Sequence, residues 1–253
     1  MIFVVILMFL ILPLLVTLDF VYYIIFNFTQ VRTLIYRASF YATLLILLLL
    51  ETLFVFINNE VLVVFQAMCR KLQQFEALIR TGFIPDLRVV NESIRSLSHS
   101  YVSGCDVVNR INKKDGMIIV LLFSMSGVSI FIIGFNLFSA TRHIYMPNKS
   151  FFCMKEVAWI TLYIIKAAVF VEPGHLIAKE VQNMQALLSH LMVHTTPVGK
   201  PVSIEMDVLY KETILNKPTF APLGLLTIDR SLIIVMCSYI TTYLVFSIQL
   251  KSQ

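Results

Sequence analysis

The sequence predicts an all-α integral membrane protein with about five transmembrane helices. Two features of the composition support this fold class: 58% of the residues are hydrophobic and only 14% are charged. The mean hydropathy of +0.83 is also far above that of a soluble domain. A bilayer offers the backbone no hydrogen-bond partner, so an apolar segment of roughly 20 residues crosses it as a helix.

Five segments have the length and composition of a membrane span. They are residues 2–26, 40–57, 116–140, 153–171 and 231–250. The first contains Pro13 and Asp19 and could be mistaken for a secretory signal. It lacks the basic start and the small-residue cleavage site of a signal peptide, so we interpret it as a span.

The distribution of lysine and arginine predicts the orientation of the spans, because these residues accumulate in cytoplasmic loops. The loop between the second and third spans carries Arg70, Lys71, Arg80, Arg88, Arg95, Arg110, Lys113 and Lys114. The loop between the fourth and fifth spans carries Lys179, Lys200, Lys211, Lys217 and Arg230. The other two carry only Arg32 and Arg37, and Arg142 and Lys149. The amino terminus is therefore predicted inside and the carboxy terminus outside. The net charge of +5 follows from this topology, and no nucleic-acid partner is expected.

The two inner loops, 58–115 and 172–230, are predicted to extend the spans as cytosolic helices. Apolar residues recur there every three or four positions, as on a helix with one apolar face. The stripes are Val61, Val64, Phe65, Met68, Leu72, Phe75 and Ile79; Val90, Ile94, Leu97, Tyr101, Cys105, Val108 and Ile111; Ile177, Val181, Met184, Leu188 and Leu191; and a weaker one from Ile204 to Leu215. The segment TGFIPD, 81–86, is predicted to separate the first two. We expect these faces to form a helical bundle rather than to lie on lipid.

No motif in the sequence indicates an enzyme. A glycine-rich phosphate loop, metal-type cysteine spacing and a Ser-His-Asp order are all missing. His190 and His194 have the i,i+4 spacing of two metal ligands, but no third ligand accompanies them, so we interpret them as solvated. We expect no metal, no cofactor and no intrachain disulfide.

Charged residues inside the predicted spans are informative, because each costs several kcal/mol at the bilayer centre unless it is paired or hydrated. Glu51 lies in the second span and Lys166 in the fourth. The two residues could pair, Glu51 could face a cavity or the cytoplasmic boundary, and Lys166 could extend to the interface. Asp19 is interpreted as lying near the outer boundary.

The carboxy-terminal sequence TYLVFSIQL, Thr242 to Leu250, resembles the signature TYhhhhhQF (h, hydrophobic) of insect gustatory receptors. Leu250 stands in place of the final phenylalanine. The upstream sequence PTFAPLGLLTIDRSLI resembles the family's approach to its last helix, with Gly224, Asp229, Ser231 and Leu232 at recurring positions. The resemblance covers most of the chain.

This resemblance implies a ligand-gated, nonselective cation channel that detects small-molecule tastants on taste-neuron dendrites. Four subunits, identical or different, would each contribute the last helix to a central pore in the plasma membrane, and the cytosolic helices would form the anchor between subunits. The narrow part of the pore maps onto Gln249 and Leu250. Thr242 and Phe246 share the helix face of Gln249. Taken alone, Thr242 and Tyr243 are interpreted as packing or helix-polar positions rather than gates.

The family has seven spans and a cytoplasmic amino terminus, and the five spans predicted here keep the same orientation. We expect them to be the family's third to seventh spans, with the first two missing from the sequence. A genuine five-span receptor is the alternative.

Two other function classes remain. A G-protein-coupled receptor would have the opposite orientation and usually shows Asp-Arg-Tyr and Asn-Pro-x-x-Tyr patterns, which this sequence lacks. A secondary transporter would be expected to show repeated halves, and no repeat is evident.

The predicted orientation can be tested with epitope tags on intact cells. A tag after Gln253 should stain without permeabilisation, and a tag within 197–203 should stain only after it, because the basic loops stay inside. Staining of the carboxy-terminal tag only in permeabilised cells would contradict both the orientation and the family resemblance.

Overall fold

The computed structural model describes the backbone of residues 2–26, 31–80, 87–142, 149–195 and 200–252. These residues form α1 (Ile2–Phe26), α2 (Val31–Arg80), α3 (Leu87–Lys114), α4 (Gly116–Arg142), α5 (Lys149–Thr195), α6 (Lys200–Leu215) and α7 (Arg230–Ser252). A short 3-10 turn lies at Pro222–Gly224. The described residues contain no strand, and the predicted all-α fold class is confirmed. The predicted break at 81–86 lies outside the described residues.

Three helices in the described part of the chain are long and apolar enough to cross a membrane. They are Ala38–Ile79 within α2, Gly116–Ala140 within α4 and Arg230–Ser247 within α7. These helices contain the second and third predicted spans and most of the fifth.

The first and fourth predicted spans are helical but do not meet the same criteria. In α1 the side chains that the structure describes form the apolar stretch Met8–Val21, within a helix of 25 residues. The segment 153–171 lies within α5 and carries Lys155, Glu156 and Lys166, which lower its hydropathy. That these two helices cross the membrane therefore stays a prediction.

The chain divides into two compact units. The first consists of Met1–Val55, Ile118–Val171 and Arg230–Gln253, and the second of Phe56–Met117 and Glu172–Asp229. The helices α2 and α5 contribute to both units without interruption. The second unit covers the residues that the sequence predicts as helical extensions of the spans.

The core of the first unit is centred on α5. Its buried residues are Met8, Leu12 and Leu15 of α1, Leu44 and Leu48 of α2, Ile130 of α4, Trp159, Leu162, Tyr163 and Ala167 of α5, and Met236 of α7. Phe170 of α5 adds a stacked contact with Phe54, at 4.6 Å between ring centroids. Burial of each such side chain contributes about 1.5–3 kcal/mol in water, but in lipid close packing replaces much of that term.

The helix α7 packs on α4 at two glycines. Met236 lies 3.7 Å from the position that a Cβ on Gly127 would occupy, and Leu244 lies 3.0 Å from the corresponding position on Gly134. Small residues allow two helix backbones to approach closely, which favours association in an apolar environment. Both α7 residues therefore rest on the same surface of α4.

In the second unit, α3 buries its whole predicted stripe. Val90, Ile94, Leu97, Tyr101, Cys105, Val108 and Ile111 are all buried. The stripes of α2 and α5 are buried around Phe65, Leu72 and Leu188, although Val64 is 46% exposed because it lies at the edge of its stripe. Helical periodicity thus identified the core of this unit.

The predicted stripe of α6 is wrong at both ends. Ile204 is 62% exposed and Leu215 is 78% exposed, whereas Met206, Leu209 and Thr213 are buried. The helix is apolar on two sides, and the side that packs against α3 is the one that carries Met206. Hydrophobicity alone could not distinguish these two faces.

The helix α5 contains Pro173 and, directly after it, Gly174. A Cβ on Gly174 would lie 2.9 Å from the Ile228 carbonyl oxygen and 3.4 Å from the Phe220 ring. The absence of a side chain at this position therefore lets the segment before α7 approach the backbone of α5.

We expect Gly174→Ala to lower the thermal midpoint of the purified protein in detergent. The new methyl group must displace a backbone carbonyl, and such overpacking costs about 1–3 kcal/mol. Gly127→Ala is the control, because its Cβ meets Met236 at an ordinary distance of 3.7 Å. The control should be neutral or slightly stabilising, since alanine favours a helix over glycine by about 0.5–1 kcal/mol. Equal midpoints for the two variants would contradict the predicted steric constraint.

Candidate functional site

Two lysines of α5 are buried in the first unit and define the candidate site. Lys155 and Lys166 have side chains only 9% and 7% exposed. They are eleven residues apart, about three helical turns, so they lie on the same face of the helix. An ammonium group in an apolar environment needs a carboxylate or other polar partner, and both lysines have one.

Lys166 is paired with Glu51 of α2. The Lys166 Nζ atom lies 2.9 Å from Glu51 Oε2, and the two residues are buried. Ser126 of α4 donates a hydrogen bond to Glu51 Oε1 at 3.4 Å. The same ammonium lies 5.0 Å from the centroid of the Tyr163 ring, within the range of a cation–π interaction. The structure thus brings together the two residues that the sequence singled out, and it adds a third helix to their contact.

Lys155 is paired with Asp19 of α1. Its Nζ atom lies 2.6 Å from Asp19 Oδ1 and 3.2 Å from Glu156 Oε1. The Phe152 ring centroid is 5.0 Å from the same ammonium. Asp19 is 5% exposed, so it is buried and paired, and its position near the outer boundary stays a prediction.

The sequence analysis missed the pair of Lys155 and Asp19. The signal that could have identified it is the spacing of Lys155 from Lys166 on one face of α5. Each lysine then needs a carboxylate from another helix, and Asp19 and Glu51 are the acidic residues inside the first two predicted spans.

Aromatic side chains lie between the two lysines on α5. The Trp159 and Tyr163 rings are 6.3 Å apart, and both are buried. A small cavity of about 10 Å³ lies beside them, lined by Leu12, Leu44, Leu48, Trp159, Leu162, Tyr163 and Lys166. A space of this volume holds at most about one water molecule. A larger ligand would therefore require the surrounding helices to separate.

The pore residues predicted on α7 lie on the surface of the chain. Thr242, Phe246 and Gln249 are exposed, and Tyr243, predicted as a packing or helix-polar position, is 61% exposed. Thr242 Oγ1 donates to the Ser238 carbonyl of its own helix at 2.9 Å. The side chain of Leu250 lies outside the described residues. The described members of this group are thus exposed side chains of α7.

The histidine pair considered as a metal site is only partly described. His190 Nδ1 lies 3.2 Å from Glu76 Oε1 of α2, in the second unit. The side chain of His194 lies outside the described residues. Among the described residues no group of three or more His, Cys, Asp or Glu side chains is arranged to hold a metal ion.

Disruption of the buried pair should impair maturation of the protein. We expect Glu51→Gln and Lys166→Met each to lower the cell-surface level, because an unpaired buried charge, or a lost partner, costs about 3–5 kcal/mol. The exchange Glu51→Lys with Lys166→Glu should recover part of the loss. The measurement is the surface fraction of a tagged protein relative to its total amount.

Glu60→Gln is the matched control, since Glu60 is an exposed glutamate of the same helix. Single variants at Glu51 and Lys166 that reach the surface as well as this control would show that the pair is not needed.

The comparisons with known proteins agree with this architecture. A family sequence model described as 7tm Chemosensory receptor matches residues 1–253. None of the curated proteins compared with the chain matches it significantly. The resemblance found in the carboxy-terminal residues is confirmed at the level of the family, and the chain belongs to the 7tm chemosensory receptor family, which includes the insect gustatory and odorant receptors.

Proposed function

We propose that this chemosensory receptor is a gustatory receptor and a subunit of a tastant-gated, nonselective cation channel in which α7 lines the pore. The observation that carries the proposal is the division of α7 into two opposite faces. Met236 is the only buried residue among its described side chains, and it rests on α4 with Leu244. Most of its other described side chains are exposed, so they can contact lipid or further subunits.

A polar stripe runs along the exposed side of α7. It consists of Ser231, Ser238, Thr242 and Gln249, all of which are exposed. At 100° per residue these positions cluster within roughly 40°, and they point roughly 180° away from the packed pair of Met236 and Leu244. A helix that faced only lipid on this side would have no use for hydroxyl and amide groups at four levels.

Four copies of this stripe around an axis would form a hydrated path. Hydroxyl and amide oxygens can replace part of the water around a passing cation, and rings of apolar side chains can close the path by excluding water. Val245 and Phe246 are exposed next to the stripe and supply the apolar groups. This arrangement favours a permeation path over a binding pocket on α7.

The second unit offers a surface for assembly. Ile204, Val208 and Leu215 of α6 share one helix face and are 62%, 44% and 78% exposed. An apolar stripe of this kind on a helix outside the apolar spans is typical of a protein interface. We propose that neighbouring subunits, identical or different, cover it in a tetramer.

A taste channel also has an expected location and orientation in the cell. As a taste channel the protein would reside in the plasma membrane of sensory dendrites, with the second unit in the cytosol and the carboxy terminus outside. A small-molecule tastant would bind among the helices of the first unit, where separation of the helices would bring it to aromatic and charged groups of α5.

Whole-cell recording with substitutions at Gln249 tests the pore assignment. We expect Gln249→Ala to change basal current or the reversal potential under ion substitution several-fold more than Ile248→Ala, because only the former removes a polar group from the stripe. Surface level is measured in parallel. If the two variants leave current, selectivity and surface level equally unchanged, Gln249 is an interfacial residue. Ligand uptake without current would instead identify a transporter.

A further inference from the structure

One face of α3 contacts the backbone of the segment that connects α6 to α7. Tyr101 Oη donates to the Asn216 carbonyl at 2.8 Å, and Cys105 Sγ donates to the same oxygen at 3.2 Å. Burial raises the pKa of both groups, that of Cys105 to about 11, so both remain protonated donors at neutral pH. This carbonyl, just beyond α6, thereby has two partners on a single helix.

Asn112 of α3 makes a two-sided contact with the same segment. Its Nδ2 atom donates to the Thr219 carbonyl at 2.7 Å, and its Oδ1 atom accepts from the Ala221 amide at 3.1 Å. An asparagine amide carries a donor and an acceptor in fixed geometry, so one side chain can satisfy both backbone groups. Tyr101, Cys105 and Asn112, named here the α3 clamp, are four and seven residues apart and share a face of the helix.

The clamped segment is itself folded. The Ile228 amide donates to the Phe220 carbonyl at 2.7 Å, and both side chains are buried. Between them the chain turns at Leu223 and Gly224, with φ angles of 56° and 68°. A segment with paired backbone groups and buried side chains transmits displacement, whereas an extended solvated linker would absorb it.

Asn112 also lies beside the start of α4. The Asp115 amide donates to the Ile111 carbonyl at 2.9 Å, so the backbone continues with hardly an interruption from α3 into Gly116. A Cβ on Gly116 would lie 3.0 Å from the Leu223 amide nitrogen. The segment that connects α6 to α7 is thus held next to the start of α4, the helix against which α7 packs.

We propose that Asn112 is a positioning residue for gating: it couples the movement of α3 and the start of α4 to the segment that leads into α7. This coupling rests on the proposed function, in which α7 lines the pore. The clamp itself is a property of the fold and does not depend on that function.

The experiment combines amide exchange with recording on the full protein. The variants are Asn112→Leu, which removes both hydrogen bonds, and Asn112→Asp, which keeps only the acceptor. The matched controls are Asn109→Leu and Asn109→Asp, at an exposed asparagine of the same helix. Tyr101→Phe is a milder variant that removes one hydrogen bond and keeps the ring, in case Asn112→Leu fails to fold.

Amide exchange is read by mass spectrometry on peptides that contain Ala221. We expect exchange in Asn112→Leu to be about tenfold faster than in the controls, and at least as fast in Asn112→Asp, whose carboxylate would oppose the Thr219 carbonyl. Channel opening, read as basal current and tastant dose response, should shift in the same order. Ion selectivity should stay unchanged, because no pore group is altered, and current is compared at equal surface level.

Each other outcome has a distinct meaning. Unchanged exchange at Ala221 would overturn the clamp. Faster exchange in Asn112→Leu with unchanged gating would overturn the coupling. If Gln249→Ala still changed the current in that case, the channel proposal would remain intact. Absence of current from the unaltered receptor would overturn the proposed function and the coupling together, while the exchange data would still decide the clamp.

Discussion

A lysine that lies among apolar helices must keep a partner, and this constraint determines how the first unit is built. Lys155 and Lys166 present two such charges on one face of α5, and each is paired with a carboxylate from a different helix. Contacts between leucine side chains can slide by a turn at little cost, whereas an ion pair with a 2.9 Å separation cannot. We therefore expect the pairs to help set the register of α1 and α2 on α5, together with the packed apolar core.

A second principle governs α7. This helix rests on α4 through two glycines, and its approach is held by polar side chains of α3. Small residues and backbone hydrogen bonds position it, together with a single buried side chain, Met236, among those described on α7. The position of α7 is therefore fixed, but most of its described side chains are exposed. This is expected of a helix that contacts other subunits.

Sequence periodicity predicted the second unit better than the first, and the reason is physical. In α3 polar residues separate apolar residues that recur every three or four positions, so the stripe from Val90 to Ile111 identifies the buried face. The helix α1 is apolar on all sides, so periodicity reveals no face and the contact of Asp19 remained hidden. The α3 clamp was equally unpredictable, because the carbonyls of Asn216 and Thr219 belong to an irregular segment that leaves no pattern in sequence. The residues of α7 were found through family resemblance, and their exposure on a single chain agrees with a role between subunits without requiring it.

The order of the ion-pair partners along the chain has a consequence for biosynthesis. Both carboxylates, Asp19 in α1 and Glu51 in α2, precede α5, which carries both lysines. A lysine at the centre of an inserting helix costs about 2.5–3.5 kcal/mol when it is alone. Because synthesis proceeds from the amino terminus, α5 leaves the ribosome after the helices that neutralise it have been made. If α5 crosses the membrane as the sequence predicts, its insertion becomes a step assisted by the helices made before it, and loss of α1 would impair that insertion before it affected any signal.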